Sequence, residues 1–174
     1  MRNLVLEDDP ILRKRAVPFD FDNPQEDPEK LVEELLDAMQ KYEGMGLSAC
    51  QIGVDLKVFV MRYNGGALSI FNPRIIEYSQ QSTYINEGCL SFPGLFFPVE
   101  RSYGVSTQYY RKDGEMMSGT FVDVTAKCFQ HEYDHMIGRL YTEYANTFKL
   151  RNARKKQILW ERKRKKEEGK TDKY

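Results

Sequence analysis

Two histidines occur in this chain of 174 residues, His131 and His135, and they stand four positions apart in the run QHEYDHMIG, residues 130–138. On an α-helix that spacing is a little over one turn, so both imidazoles leave one face. Two neutral imidazoles on one face are a common way to hold a first-row metal ion through nitrogen. Glu132 follows the first histidine, and from there its carboxylate can reach a water on such a metal and carry a proton. The bland alternative is a solvated polar helix face that happens to spell HExxH. The absence of any other histidine argues against that coincidence.

A catalytic metal takes three protein ligands and keeps one position open for water. Cys89, inside NEGCLSFPG, is the candidate for the third, with Gly88 before it to let the backbone bring a thiolate close. A thiolate with two imidazoles suits iron(II), zinc, cobalt or nickel and serves calcium and magnesium poorly. On its own, a loop cysteine is more often a buried, inert thiol.

The elements that must position these groups are legible in outline. DDPILRKRA near the start is expected to be extended and then to make a short helical turn after Pro10. Leu31, Leu35 and Met39, broadened by Val32, Leu36 and Tyr42, mark an amphipathic helix started by Asp27 and Pro28 and ended by Gly44. GMGLSACQIG (44–53) is too rich in glycine and small residues for a helix or an ordinary strand, and suits a close backbone approach. Strands are expected at 56–63 and 67–73 around Asn64-Gly65-Gly66, continuing extended through 74–85. A hairpin over 104–124 should turn at Asp113-Gly114. Asp123 then reads as the N-cap of a helix that ends at Gly138, with Val124, Cys128, His131 and His135 on one stripe that serves as both metal face and core face.

The length fits one domain of ordinary core size. No apolar run reaches membrane-spanning length, and the N-terminus lacks a signal peptide's hydrophobic region, so a cytoplasmic location is expected. Three cysteines without a secretion signal favour thiols over a disulfide framework. A net charge of zero conceals an acidic body and a basic tail, because residues 148–174 hold twelve Lys or Arg against four Asp or Glu. Within that tail, Phe148, Ile158, Leu159 and Trp160 suggest a helix over 148–160, and beyond Glu161 fraying or disorder is expected. The division is therefore a catalytic domain over 1–147 and a basic C-terminal helix and tail over 148–174.

GMGLSACQ (44–51), EGCLS (87–91) and QHEYDHMIG (130–138), in this order and spacing, resemble the three signature motifs of the peptide deformylases, and DDPILRKRA resembles that family's opening. The resemblance covers roughly residues 4–145. It implies hydrolysis of the formyl group from the initiator methionine of nascent polypeptides, with release of formate. It implies an α+β fold, with small antiparallel β-sheets packed around a central helix carrying HExxH and, here, a basic C-terminal helix. Carried onto this chain, it makes Cys89, His131 and His135 the metal ligands, with iron(II) as the native metal and zinc, nickel or cobalt as substitutes. Glu132 becomes the general acid/base, and Gln51 with the Leu90 backbone N–H polarises the formyl oxygen. Gly44–Gly46 and the strand near Glu87 would pair with an extended peptide. A methionine slot would involve Met45, Ile85, Val124, Cys128 and the carbon stem of Lys127; the alternative is that these are ordinary core residues, Val124 above all.

Three positions depart from the family pattern: Ser48 in place of Ala, Cys50 where Pro is common, and Lys127 at a usually apolar site. Arg101 is a candidate partner for a buried Glu87. Asp134 is open between orienting a histidine from behind and facing solvent. Two other functions compete. A metallopeptidase reading wants a further His or Glu ligand after HExxH, and no histidine follows His135. A ribosome- or RNA-binding module with a closed structural metal could recruit Cys50 or Cys128 as a fourth ligand, which leaves Glu132 and Gln51 without purpose. The basic tail offers either protein a contact to ribosomal RNA.

Overall fold

The computed structural model describes residues 2–171. Helix α1 (Pro28–Lys41) starts as its signals demand, with the Asp27 carboxylate accepting from the Glu29 and Lys30 N–H groups and Pro28 in the first turn. The chain then enters the small-residue segment, which the sequence reading kept apart from helix and strand. It forms a three-residue strand, β1 (Gly46–Ser48), and a single 3-10 turn over Ala49–Ile52. Near the N-terminus a similar turn spans Pro10–Arg13 and is capped by Asp9.

Strands β2 (Val58–Tyr63), β3 (Gly66–Tyr78), β6 (Gly104–Tyr110) and β7 (Met116–Val122) join β1 in one antiparallel sheet of order β1-β2-β3-β6-β7. Asn64 and Gly65 both take positive φ at the β2–β3 turn, as a two-residue hairpin with the right twist requires. Strands β4 (Ser82–Cys89) and β5 (Phe92–Ser102) make a separate two-stranded sheet. The extended run expected across 74–85 is thus broken between Tyr78 and Ser82, where the chain leaves one sheet for the other.

Helix α2 (Asp123–Met136) lies between these layers. Ala126, Phe129 and Met136 bury one of its faces with Phe59, Ile70 and Phe121 of the large sheet, while His131 and His135 are buried on the side that meets β4 and β5. The single stripe expected to be both metal face and core face is thus two faces, and two residues differ from expectation. Val124, placed on the core stripe, lies in the first turn of α2 and is 44% exposed. Val122, not Asp123, holds the cap position, and the Asp123 carboxylate faces Lys127 Nζ at 3.4 Å.

Helix α3 (Thr147–Thr171) packs on β5. Its buried face is Ala153 and Gln157, not the expected Phe148, Ile158 and Leu159, which are exposed. Gln157 donates to the Pro93 carbonyl at 2.8 Å, Arg154 pairs with Glu7, and the Trp160 ring covers Gly94, where a Cβ would lie 2.3 Å from the indole. The helix also runs past Glu161, where fraying was expected, since Arg, Lys and Glu are good helix formers and Lys163 sits four residues before Glu167. The end of the expected tail, residues 172–174, lies outside the described residues.

Candidate metal centre

Strand β4 ends at Cys89 and helix α2 carries the histidines, so the site forms where the small sheet meets the helix. One ligand atom from each of Cys89, His131 and His135 can be chosen so that all lie within 4.8 Å of one another, and all three residues are buried. Cys89 Sγ is 3.5 Å from His135 Nε2. That spacing and donor set fit one transition-metal ion, with a sulfur and two imidazole nitrogens converging on a single point.

Behind the histidines stands a buried ion network. Glu87 Oε1 meets His131 Nδ1 at 2.5 Å, which leaves His131 Nε2 to face the centre. Arg101 on β5 grips Glu87 with two hydrogen bonds, Nε to Oε2 at 3.0 Å and a terminal nitrogen to Oε1 at 2.8 Å. Its third contact, at 2.6 Å, is to Asp134. Burial alone would raise the Glu87 carboxyl, but hydrogen bonds from His131 and Arg101 outweigh it and hold the group down at about 2. Asp134 is therefore neither solvent-facing nor bound to a histidine. It neutralises the arginine and accepts from the Tyr144 hydroxyl at 3.3 Å. Burial pushes the His135 imidazole well below its ordinary range.

Gln51, in the 3-10 turn after β1, is fully buried. Its Oε1 accepts from the Ser48 N–H at 2.9 Å, so its amide nitrogen is the end that faces Cys89 Sγ at 3.3 Å and Ser91 Oγ at 3.2 Å. Glu132 is buried beside the centre, and burial raises its carboxyl above the usual range. Leu90 follows Cys89 and reaches Gly44, where a Cβ would lie 2.8 Å from the leucine Cδ1. Strand β1 pairs with β2 through one edge only, Gly46 opposite Met61. Met45 and Val124 are each nearly half exposed, Cys128 is partly buried beside Gly46, and Ile85 is partly buried on β4 opposite Val99. The stem of Lys127 is buried while its amine reaches out to Asp123. Ser48 and Ser91, both wholly buried against catalytic candidates, were not among the expected site residues. Both carried a signal, Ser48 as a departure from a motif and Ser91 as the last residue of EGCLS.

A buried cysteine–histidine–histidine cluster beside a carboxylate and a side-chain amide is the equipment of a metal-dependent hydrolase. The family model for polypeptide deformylase matches residues 1–151. A peptide deformylase of Thermotoga petrophila is 38% identical over 149 residues, covering 85% of this chain and 89% of the relative. The crystal structure of a peptide deformylase from Legionella pneumophila superposes with a TM-score of 0.84 at 32% identity, covering 94% of this chain and 97% of that one. A class I type b peptide deformylase from Acinetobacter baumannii, solved with Met-Ala-Ser bound, gives a TM-score of 0.78 at 28% identity over 83% of this chain and 98% of that one. The chain belongs to the peptide deformylase family, metal-dependent hydrolases that remove the N-terminal formyl group from nascent peptides.

The ion network makes a stability prediction. Arg101→Met leaves Glu87 and Asp134 buried without their counter-charge and should cost about 3–5 kcal/mol. Urea denaturation of the metal-free chain reads this directly, and an unchanged midpoint would show that the network is dispensable.

Proposed function

We propose that this deformylase works through a single divalent metal held by Cys89, His131 and His135, with Glu132 as general acid/base and Gln51 and the Leu90 backbone N–H as donors to the formyl oxygen. The observation that carries the reading is the convergence of those three ligands beside the buried Glu132. When bound, the metal supplies a Lewis acid that activates water for attack on the formyl carbon. Glu132 takes the proton from that water and delivers it to the leaving amine, a task suited to a carboxyl whose affinity for protons is raised by burial. Gln51 donates to the oxygen on which charge develops, and it does so without adding a competing net charge. Iron(II) is the proposed native metal, with zinc, nickel or cobalt able to occupy the same donor set.

The substrate peptide is read through its backbone. The Gly44–Gly46 segment leads into an edge strand, and an extended chain can add there and beside β4 near Glu87. Backbone pairing tolerates any sequence after the first residue. The methionine side chain enters a slot formed by Met45, Ile85, Val124, Cys128 and the Lys127 stem. The Met-Ala-Ser held by the Acinetobacter baumannii structure is the product such a site would release from a formylated tripeptide. Catalysis is assigned to residues 1–147, acting in the cytoplasm where nascent chains emerge. No helix among the described residues is long and apolar enough to cross a membrane.

Helix α3 adds a docking role at the ribosome. Lys155, Lys156, Arg162, Lys163, Lys165 and Lys166 are all exposed on it, and basic side chains in a row suit a phosphate backbone.

Formate release from formyl-Met-Ala-Ser by the iron(II)-loaded chain tests the reaction. Glu132→Gln should lose about 100-fold or more in kcat, and Gln51→Leu about 100-fold. Full activity in Glu132→Gln would remove the proposed acid/base. Reversing Lys155, Lys156, Lys165 and Lys166 to Glu should abolish co-sedimentation with ribosomes at low salt, and equal sedimentation would end the docking role.

A further inference from the structure

Residues 46 and 48 of β1 share one face of the strand, and both meet the carboxyl group of Glu132. At Gly46 a Cβ would lie 2.6 Å from Glu132 Oε1 and 2.9 Å from its Cγ, so the missing side chain is what admits the carboxyl. At Ser48 the hydroxyl donates to Glu132 Oε2 at 2.6 Å, in a fully buried contact. The same Oγ lies 3.4 Å from the Glu132 backbone carbonyl, too far to compete for its one proton. Meanwhile the Ser48 backbone N–H donates to Gln51 Oε1.

We propose that Ser48 is the positioning residue of this deformylase, tethering one oxygen of Glu132 through its hydroxyl while its N–H sets the direction of the Gln51 amide. The proposal rests on the reading of Glu132 as acid/base. A glutamate side chain has three rotatable bonds, and a proton shuttle must stay within reach of both the water and the amine. Tethering Oε2 restrains that motion. A hydroxyl-to-carboxylate bond is short and charge-assisted, and it is strengthened where water is absent. Gly46 supplies the space and Ser48 the hold. One strand of three residues thereby orients both the Glu132 carboxyl and the Gln51 amide.

Ser48→Ala removes the hydroxyl and keeps the N–H. It should lower kcat by about tenfold or more, the loss of one hydrogen bond to a charged group, while KM stays within about twofold and metal bound per chain is unchanged. Ser48→Cys fills the same space with a weak donor and should be as slow as Ser48→Ala. Retention of wild-type kcat by either variant would overturn the proposal, since space-filling alone would then suffice. Wild-type formate release is the control for the parent reading, and an independent measurement avoids activity altogether. In the metal-free chain, the change in melting temperature caused by Ser48→Ala should shrink by at least about half in a Glu132→Ala background, because the hydroxyl has already lost its partner. Equal changes in both backgrounds would show that no such tether exists.

Discussion

A guanidinium buried between two strands and a helix holds this molecule's chemistry in register. Arg101 reaches from β5 to Glu87 on β4 and to Asp134 on α2, and Glu87 passes the constraint to His131. Three charges out of water would be a liability if any were left unmatched. Here each carboxylate has the arginine, and Glu87 also has an imidazole nitrogen. The network ties the strand that ends in Cys89 to the helix that carries both histidines. The ligands therefore cannot drift apart without breaking contacts that are costly to break.

Around that anchor, a second set of contacts arranges Glu132 and Gln51. It comes from the other sheet. Strand β1 lies against α2 through Gly46 and Ser48, while Gln51 in the following turn faces Cys89 and Ser91. The candidate centre is thus a seam: the small sheet provides Cys89, the helix provides His131, His135 and Glu132, and the edge of the large sheet provides the contacts to Glu132 and Gln51. Strand β1 is the terminal strand of the large sheet, and under the proposed function its other edge is the one a peptide backbone joins.

Local signals carried much of this architecture. Asp27-Pro28 starts α1, and Asn64-Gly65 and Asp113-Gly114 sit at hairpin turns, because caps and turns depend on neighbours in sequence. Cys89, His131 and His135 stood out for a similar reason, as rare residue types in short motifs. Periodicity failed where an element is buried on two sides. The stripe through Val124 could not say that Ala126 and Phe129 face one sheet while the histidines face the other. It failed again on α3, whose buried face uses Gln157 to cap a strand carbonyl, a polar role that no apolar pattern registers. The Ser48 contact was beyond reach, since its partner lies 84 residues away and only the packing of β1 on α2 brings them together.

Under the proposed function, Cys89, His131 and His135 share one metal with a position left for water. X-ray absorption at the metal edge of the zinc-loaded chain addresses this arrangement most directly. The expected shell is a single sulfur at about 2.3 Å and two imidazole nitrogens at about 2.0–2.1 Å, with the sulfur lost in Cys89→Ala. A second sulfur, drawn from Cys50 or Cys128, or a shell unchanged by that substitution, would contradict it and describe a closed structural site instead.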